Sequence, residues 1–322
     1  MTGMIKKAKL KYEANAENIN YNAQKWGRKS KNVFLNIVIA IILIGVSYVI
    51  VSPLLGVFTR TFMALEDLRN PFVFMIPINY TTENIQIAFR NMDYLRSLPR
   101  TLIYASSFAL LHVVVTSIVG YGFARFKIPG RNIWFAVLIA TIVVPVQTYM
   151  VPLYFQFRFF RIIPGFEFNF IGNYGSLIIL TSLGMGLRSG LFIYIFRQFF
   201  RGMPKEIEEA ALIDGAGIFK TFYKVMLPNA IPPIVTVILF AFVWHYNDVF
   251  YSLRLAMDSS LLGNRLLTLN YTLRAMGDVE DMGLENLVMF AGVFLTIVPV
   301  LTIYMILQRH FVESIERSGI VG

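Results

Sequence analysis

The sequence predicts an all-α integral membrane protein with six transmembrane helices and both termini on the cytoplasmic side. Three observations lead there. Hydrophobic residues make up 56% of the 322 positions and charged residues only 15%, against roughly 45–50% and about 25% in soluble domains. The apolar residues fall in long blocks instead of amphipathic stripes. The basic residues lie mostly on one side of those blocks, as the cytoplasmic bias of Lys and Arg requires.

Five runs contain no Asp, Glu, Lys or Arg: 33–59, 101–124, 132–157, 225–247 and 286–308. A bilayer core of about 30 Å needs roughly 20 apolar helical residues, and each run exceeds that. A sixth candidate, 174–199, is interrupted only by Arg188 and Arg197. The predicted spans are about 33–58, 101–123, 132–156, 174–199, 230–252 and 286–308.

The domains in order are a basic N-terminal segment, 1–32, a transmembrane domain, 33–308, and a cytoplasmic tail, 309–322. The first holds Lys6, Lys7, Lys9, Lys11, Lys25, Arg28, Lys29 and Lys31. With the N-terminus inside, all eleven lysines of the chain are inside too. The net charge of +10 therefore reads as topology and contact with anionic lipid, and a nucleic-acid partner is not expected. The polar leader and the length of the first apolar run exclude a cleavable signal and make that run an uncleaved anchor.

Between the first two spans, Ile85, Ala88, Phe89 and Met92 recur at helical spacing after Thr82, a plausible N-cap. This segment is an amphipathic helix, either docking a partner or packing on the bundle. Pro145 and Pro152 fall in the third span, Pro232 and Pro233 at the start of the fifth and Pro299 in the sixth. Each removes a backbone donor and bends or breaks its helix.

The loop 201–230 reads as helix, break, helix. Pro204 suits a first helical position, and Glu206, Glu208 and Glu209 complement the positive end of the helix dipole. Ala210, Ala211 and Leu212 are good helix formers. Gly215 supplies a left-handed C-terminus. Ile218, Phe219, Phe222 and Val225 form the stripe of a second short helix, which Pro228 ends. So much apolar surface on a cytoplasmic loop calls for a partner, or else for burial among lipid headgroups.

At these residues the sequence resembles the inner-membrane permeases of ATP-binding-cassette importers, in their type I fold. Their signature appears as Glu209-Ala210-Ala211, Asp214-Gly215 and, after nine residues, Val225-Met226-Leu227-Pro228; Val225 stands where isoleucine is usual. The resemblance implies that Glu206, Glu209, Ala210, Ala211, Asp214, Gly215, Phe219, Leu227 and Pro228 couple the chain to an ATPase. It is closest to the carbohydrate-uptake branch, notably the six-span permease of maltose-type importers. Gly120-Tyr121-Gly122-Phe123-Ala124-Arg125-Phe126, Pro129-Gly130-Arg131, and Pro145 with Pro152-Leu153-Tyr154 resemble that branch. Trp244 with Asn247-Asp248 resembles its Trp-Asn-Asp element, with His245 and Tyr246 interposed.

The resemblance implies a bacterial cytoplasmic membrane protein that imports an oligosaccharide. Its implied partners are a second homologous permease, two copies of an ATPase that bind ATP and Mg, and an extracytoplasmic solute-binding protein. No catalytic residues are expected in this chain, which lacks a Walker-type Gly-Lys-Ser/Thr loop. His112, His245 and His310 show no metal-ligand spacing. Cysteine is absent, which removes thiolate chemistry. Arg188 is the one charge well inside a span, where an ionisable group faces a cavity or a partner, or else snorkels or pairs with a carbonyl. Gln147, Tyr149 and Gln156 of the third span, with Tyr246, Asn247 and Asp248 of the fifth, are expected to face the same cavity. Competing readings are a permease for a non-sugar solute, a gradient-driven secondary transporter, which should show paired mid-membrane charges, and a membrane scaffold.

Overall fold

The computed structural model describes residues 33, 35–161, 165–277, 279 and 281–319, the last thirteen of them as backbone only. The basic segment 1–32 and the final residues of the tail lie outside the described residues. Described residues form helices plus two isolated bridging pairs, Met63 with Tyr80 and Phe160 with Phe168. The chain divides into two compact units, one ending at Thr59 and the other starting at Arg60.

The first unit is occupied by the apolar helix α1, Leu35–Thr61, whose last two residues cross the boundary. In the second unit, α2 (Leu65–Arg69) and α3 (Glu83–Asn91) precede α4 (Tyr94–Arg125). Next come α5 (Arg131–Val143), α6 (Val146–Arg158), α7 (Gly175–Ser182), α8 (Ser189–Gly202) and α9 (Glu206–Ile213). The remainder is α10 (Ile218–Thr221), α11 (Ile231–Tyr246), α12 (Leu262–Met276) and α13 (Met282–Gly319).

Among the described residues, four unbroken helical stretches are long and apolar enough to cross a bilayer: Leu35–Thr61, Tyr94–Arg125, Ile218–Tyr246 and Met282–Ile306. A fifth is a bent pair, α5 and α6, meeting at 105°. The predicted fourth span, 174–199, is not a continuous helix. It is broken between α7 and α8 by Gly184 (φ +72°) and Arg188 (φ +60°), both left-handed. Hydropathy registers no such break, because every residue in it except Arg188 is apolar or small.

The α5–α6 bend follows from Pro145. Val144, just before it, is extended (φ −67°, ψ 120°), as the proline ring requires of its predecessor. Pro152 and Pro299 lie inside α6 and α13. Pro228, expected to end the second loop helix, does not end it. Phe222–Met226 widens into a π-helical turn closed by Leu227 N–H on the Phe222 carbonyl at 2.8 Å. Pro228 then opens a 3₁₀ turn, Pro228–Ala230, and Asn229 Nδ2 donates to the Val225 carbonyl at 2.6 Å. The extra residue in the turn accommodates the proline, so the loop helix and the fifth span form one stretch.

Helix α4 is the hub, packing against α8 and α11 along its length. The α4–α8 approach depends on Gly120, where a Cβ would lie 2.6 Å from Phe196 Cβ and 3.2 Å from the Ile193 carbonyl. Small residues permit such close crossings in membranes. Three apolar clusters follow. Tyr104, Phe108, Leu177, Tyr251 and Leu255 form one, Ala88, Met92, Tyr246, Leu269 and Val288 another, and Phe192, Phe196, Phe200, Met226 and Val237 the third.

Helix α3 packs against α13 and buries Ala88, with Met92 just beyond its end, so packing on the bundle explains its stripe. Thr82 makes no side-chain cap; Thr81 Oγ1 instead accepts the Glu83 N–H at 3.1 Å. Just upstream, buried Asp67 accepts N–H groups from Ile78 (2.6 Å) and Asn79 (2.7 Å), and Asn79 Nδ2 (2.9 Å). Its carboxyl is held below the usual range, chiefly by the Asn79 backbone N–H, because such bonds favour the charged form.

Candidate functional site

Two regions gather the predicted site residues. The first lies at the C-terminal end of α4. Helix α9 starts at Glu206 and ends before Gly215, whose φ of +76° gives the left-handed C-terminus expected of it. The Ala216 N–H returns to the Ala211 carbonyl at 3.0 Å, and the Gly215 N–H to the Leu212 carbonyl at 3.1 Å. The helix turns one acid inward. Glu208 Oε1 accepts the Tyr121 hydroxyl at 2.5 Å, and Oε2 lies 3.2 Å from Arg125 Nε. Arg125 also donates to the Met203 carbonyl at 2.8 Å, and its side chain is 7% exposed.

A partly buried, charge-assisted contact of this kind is costly to break by removing one partner, so Glu208 links α9 to α4. Glu206, Glu209, Ala210 and Asp214 are exposed, as is Pro228, while Ala211 and Leu227 are half-buried. Large apolar side chains cluster beside them: Ile213 is 86% exposed and Phe219 83%. The loop therefore has an anchored face and an apolar, acid-flanked outward face. The sequence marks Glu208 only as a dipole partner. Its inward role, with Tyr121 and Arg125, depends on residues about 85 positions away and has no local signal.

The second region is a cavity of about 1030 Å³ formed around the α5–α6 bend and the α7–α8 break. Gln147, Tyr149, Gln156 and Arg188 all line it, joined by Tyr251. The Tyr149 and Tyr251 hydroxyls are 3.0 Å apart. Arg188 lies with its guanidinium 5.5 Å from the Trp244 ring centroid, a cation–π distance.

Tyr246, Asn247 and Asp248 do not share that cavity. Tyr246 is buried in the second apolar cluster, with its hydroxyl on the Thr296 carbonyl at 2.9 Å. Asn247 is exposed and its Nδ2 folds back onto the Val243 carbonyl at 2.8 Å. Asp248 is buried and accepts N–H groups from Phe250, Tyr251 and Ser252 at 2.9–3.0 Å. The end of α11 turns Tyr246 and Asp248 into the bundle and leaves Asn247 exposed, because helical rotation, set by packing on α4 and α13, overrides sequence adjacency.

Asp248 also ends a buried chain that the sequence does not reveal. Tyr104 OH donates to Asp248 Oδ2 at 3.0 Å and lies 3.5 Å from His245 Nδ1. His245 Nε2 meets His112 Nε2 at 3.0 Å, and His112 Nδ1 meets Ser189 Oγ at 3.3 Å. With Asp248 a carboxylate, which only accepts, and with both imidazoles neutral, each link has one direction. Tyr104 donates to Asp248 and accepts from His245 Nδ1–H. His245 Nε2 then accepts from His112 Nε2–H, and His112 Nδ1 accepts from Ser189. Both imidazoles are neutral in this arrangement. The chain ties α4, α8 and α11 together at Ser189, next to the cavity's Arg188. Among the described residues, no group of three or more His, Asp or Glu is arranged to hold a metal.

Residues 112–317 match the family described as "Binding-protein-dependent transport system inner membrane component". The diacetylchitobiose uptake system permease NgcG of Streptomyces coelicolor is 30% identical over 273 residues, 84% of each chain. The arabinooligosaccharides transport permease AraQ of Halalkalibacterium halodurans is 24% identical, over 86% of this chain and 93% of that one. Among solved structures, a bacterial ABC transporter involved in import of the acidic polysaccharide alginate shares the fold. Its TM-score is 0.67 at 19% identity, covering 86% of this chain and 96% of that one. Both the family match and the 30% identity span well over half of the sequence. The chain therefore belongs to the inner-membrane components of binding-protein-dependent ABC transport systems, multi-pass transport subunits and not enzymes.

Proposed function

We propose that this chain is the transmembrane permease of an ATP-driven importer that carries an oligosaccharide across the bacterial cytoplasmic membrane. The α9–α10 loop carries this reading: α9 is anchored to α4 through Glu208 and presents exposed Ile213, with Phe219 of α10, beside Glu206, Glu209 and Asp214. Such a patch needs a protein partner, and an ATPase subunit, binding ATP and Mg, fits there. Closure of two ATPase copies moves α9 as a rigid body. The Tyr121–Glu208–Arg125 contact passes that motion to α4, and α4 passes it to α8 and α11.

In this reading both termini are cytoplasmic, and α7 with α8 forms the fourth of six spans. A second homologous permease completes the pathway, and an extracytoplasmic binding protein delivers the solute. The oligosaccharide class is supported by the relatives' names and by the hydroxyl- and amide-bearing groups lining the cavity.

The test is uptake. Deleting the chain should abolish accumulation of the labelled oligosaccharide that the cognate binding protein captures, and restoring it should return uptake insensitive to ionophores. Uptake that persists in the deletion strain, or collapses with the ion gradient while ATP is maintained, overturns the proposal.

A further inference from the structure

The cavity contains one ionisable side chain of fixed charge. Of its lining residues, Arg188 is the only one that is Asp, Glu, Lys, Arg or His; Gln147, Tyr149, Gln156 and Tyr251 are polar but neutral. Among the described residues no ion pair joins Arg188 to a carboxylate, and its guanidinium lies over the Trp244 ring. A ring contact supplies no oxygen acceptor, so the guanidinium fork is available to a carboxylate.

The backbone there is unfavourable for this residue. Arg188 has φ +60°, ψ 16°, a left-handed conformation unfavourable for a non-glycine residue. Glycines 184, 186 and 190 surround it, so a residue suited to that conformation is available within the same break. Arg188 also sits at the N-terminus of the fourteen-residue α8, where the helix dipole adds positive potential. Arg188 is exposed and lines the cavity, so a left-handed cation without a carboxylate partner is placed to meet a counter-charge that arrives with the solute.

Resting on the proposed function above, we infer that Arg188 is a carboxylate-recognising residue and that the pathway favours acidic oligosaccharides, of the uronate type, over neutral ones. The guanidinium forms a bidentate pair with a uronate carboxylate, Trp244 holds it in place, and the neighbouring amides and phenols bind hydroxyls.

The permease–ATPase complex in nanodiscs, without binding protein, gives the test. Saturation-transfer NMR would compare trigalacturonate with maltotriose, because it reads weak binding directly. Trigalacturonate should give the stronger signal, weaken with added salt, and lose about 10- to 100-fold in affinity in Arg188→Gln. Arg188→Lys should retain part of the preference, and maltotriose should be unaffected by either change. Equal signals from the two sugars, no signal from either, or an unchanged preference in Arg188→Gln overturns the inference. So does loss of the second permease from both Arg188 variants, which would make the residue an assembly contact. The uptake experiment above is independent of this result, so ATP-driven sugar import without a charge preference leaves the proposed function intact.

Discussion

A Gly215→Pro variant should insert and assemble normally yet lose about 100-fold of coupled uptake. Gly215 has φ +76° and donates its N–H to the Leu212 carbonyl. Proline can satisfy neither requirement, since its φ is fixed near −65° and it has no N–H, at a cost of roughly 3 kcal/mol or more. That energy corresponds to about 100-fold in the population of the intact α9 terminus. No side chain lies within 4 Å of a Cβ built at this glycine, so the damage stays in the loop. Gly215→Ala suffers only the left-handed penalty and should be intermediate. The measurement is ATP hydrolysis beside labelled uptake in proteoliposomes. Uptake should fall while membrane insertion is unchanged, and wild-type uptake in Gly215→Pro contradicts the coupling role.

The second large effect concerns the histidine pair. His112→Phe should strongly destabilise the purified complex, because it leaves Ser189 Oγ and His245 Nε2 buried without partners. Each orphaned group costs about 1–3 kcal/mol. His245→Phe orphans His112 Nε2 in the same way, while Tyr104 keeps its bond to Asp248. The double substitution should cost less than the sum of the singles by about 1–3 kcal/mol, since the two rings share one hydrogen bond. Thermal unfolding of the four proteins in one detergent closes the cycle. Additive costs within about 0.5 kcal/mol would show that the rings do not depend on each other.

How much of this was legible in the sequence depended on the range of the interactions. Spanning helices are legible because about twenty uncharged residues outweigh any local preference. Helix α9 is legible because its Glu run, Ala pair and Gly215 agree. The α7–α8 break is not, since Gly184 and Arg188 take left-handed angles inside an otherwise apolar stretch. Pro228 misleads because a π-helical turn absorbs it, and that turn depends on the Asn229 side chain as well as the backbone.

In the cavity, Gln147, Tyr149, Gln156 and Arg188 do converge, from helices bent at Pro145 and broken at Gly184. Asp248 lies three residues before the cavity's Tyr251, yet it and Tyr246 turn into the bundle. The histidines lie 133 residues apart, and only the α4–α11 packing brings them together. Glu208 is the same case at the other end of α4: a helix-start acid by sequence, an interhelical anchor by structure.

Helix α9 as the grip on the ATPase is the central claim, and the absence of native cysteine makes it directly accessible. A single Ile213→Cys, on the most exposed apolar residue of that helix, gives the protein one thiol. Treated in inside-out vesicles with a short bifunctional crosslinker, it should yield one adduct, to the nucleotide-binding subunit, and the thiol should resist impermeant reagents applied from the outer face. Labelling from the outer face, or an intact complex in which Ile213→Cys never crosslinks to the ATPase, would contradict the account.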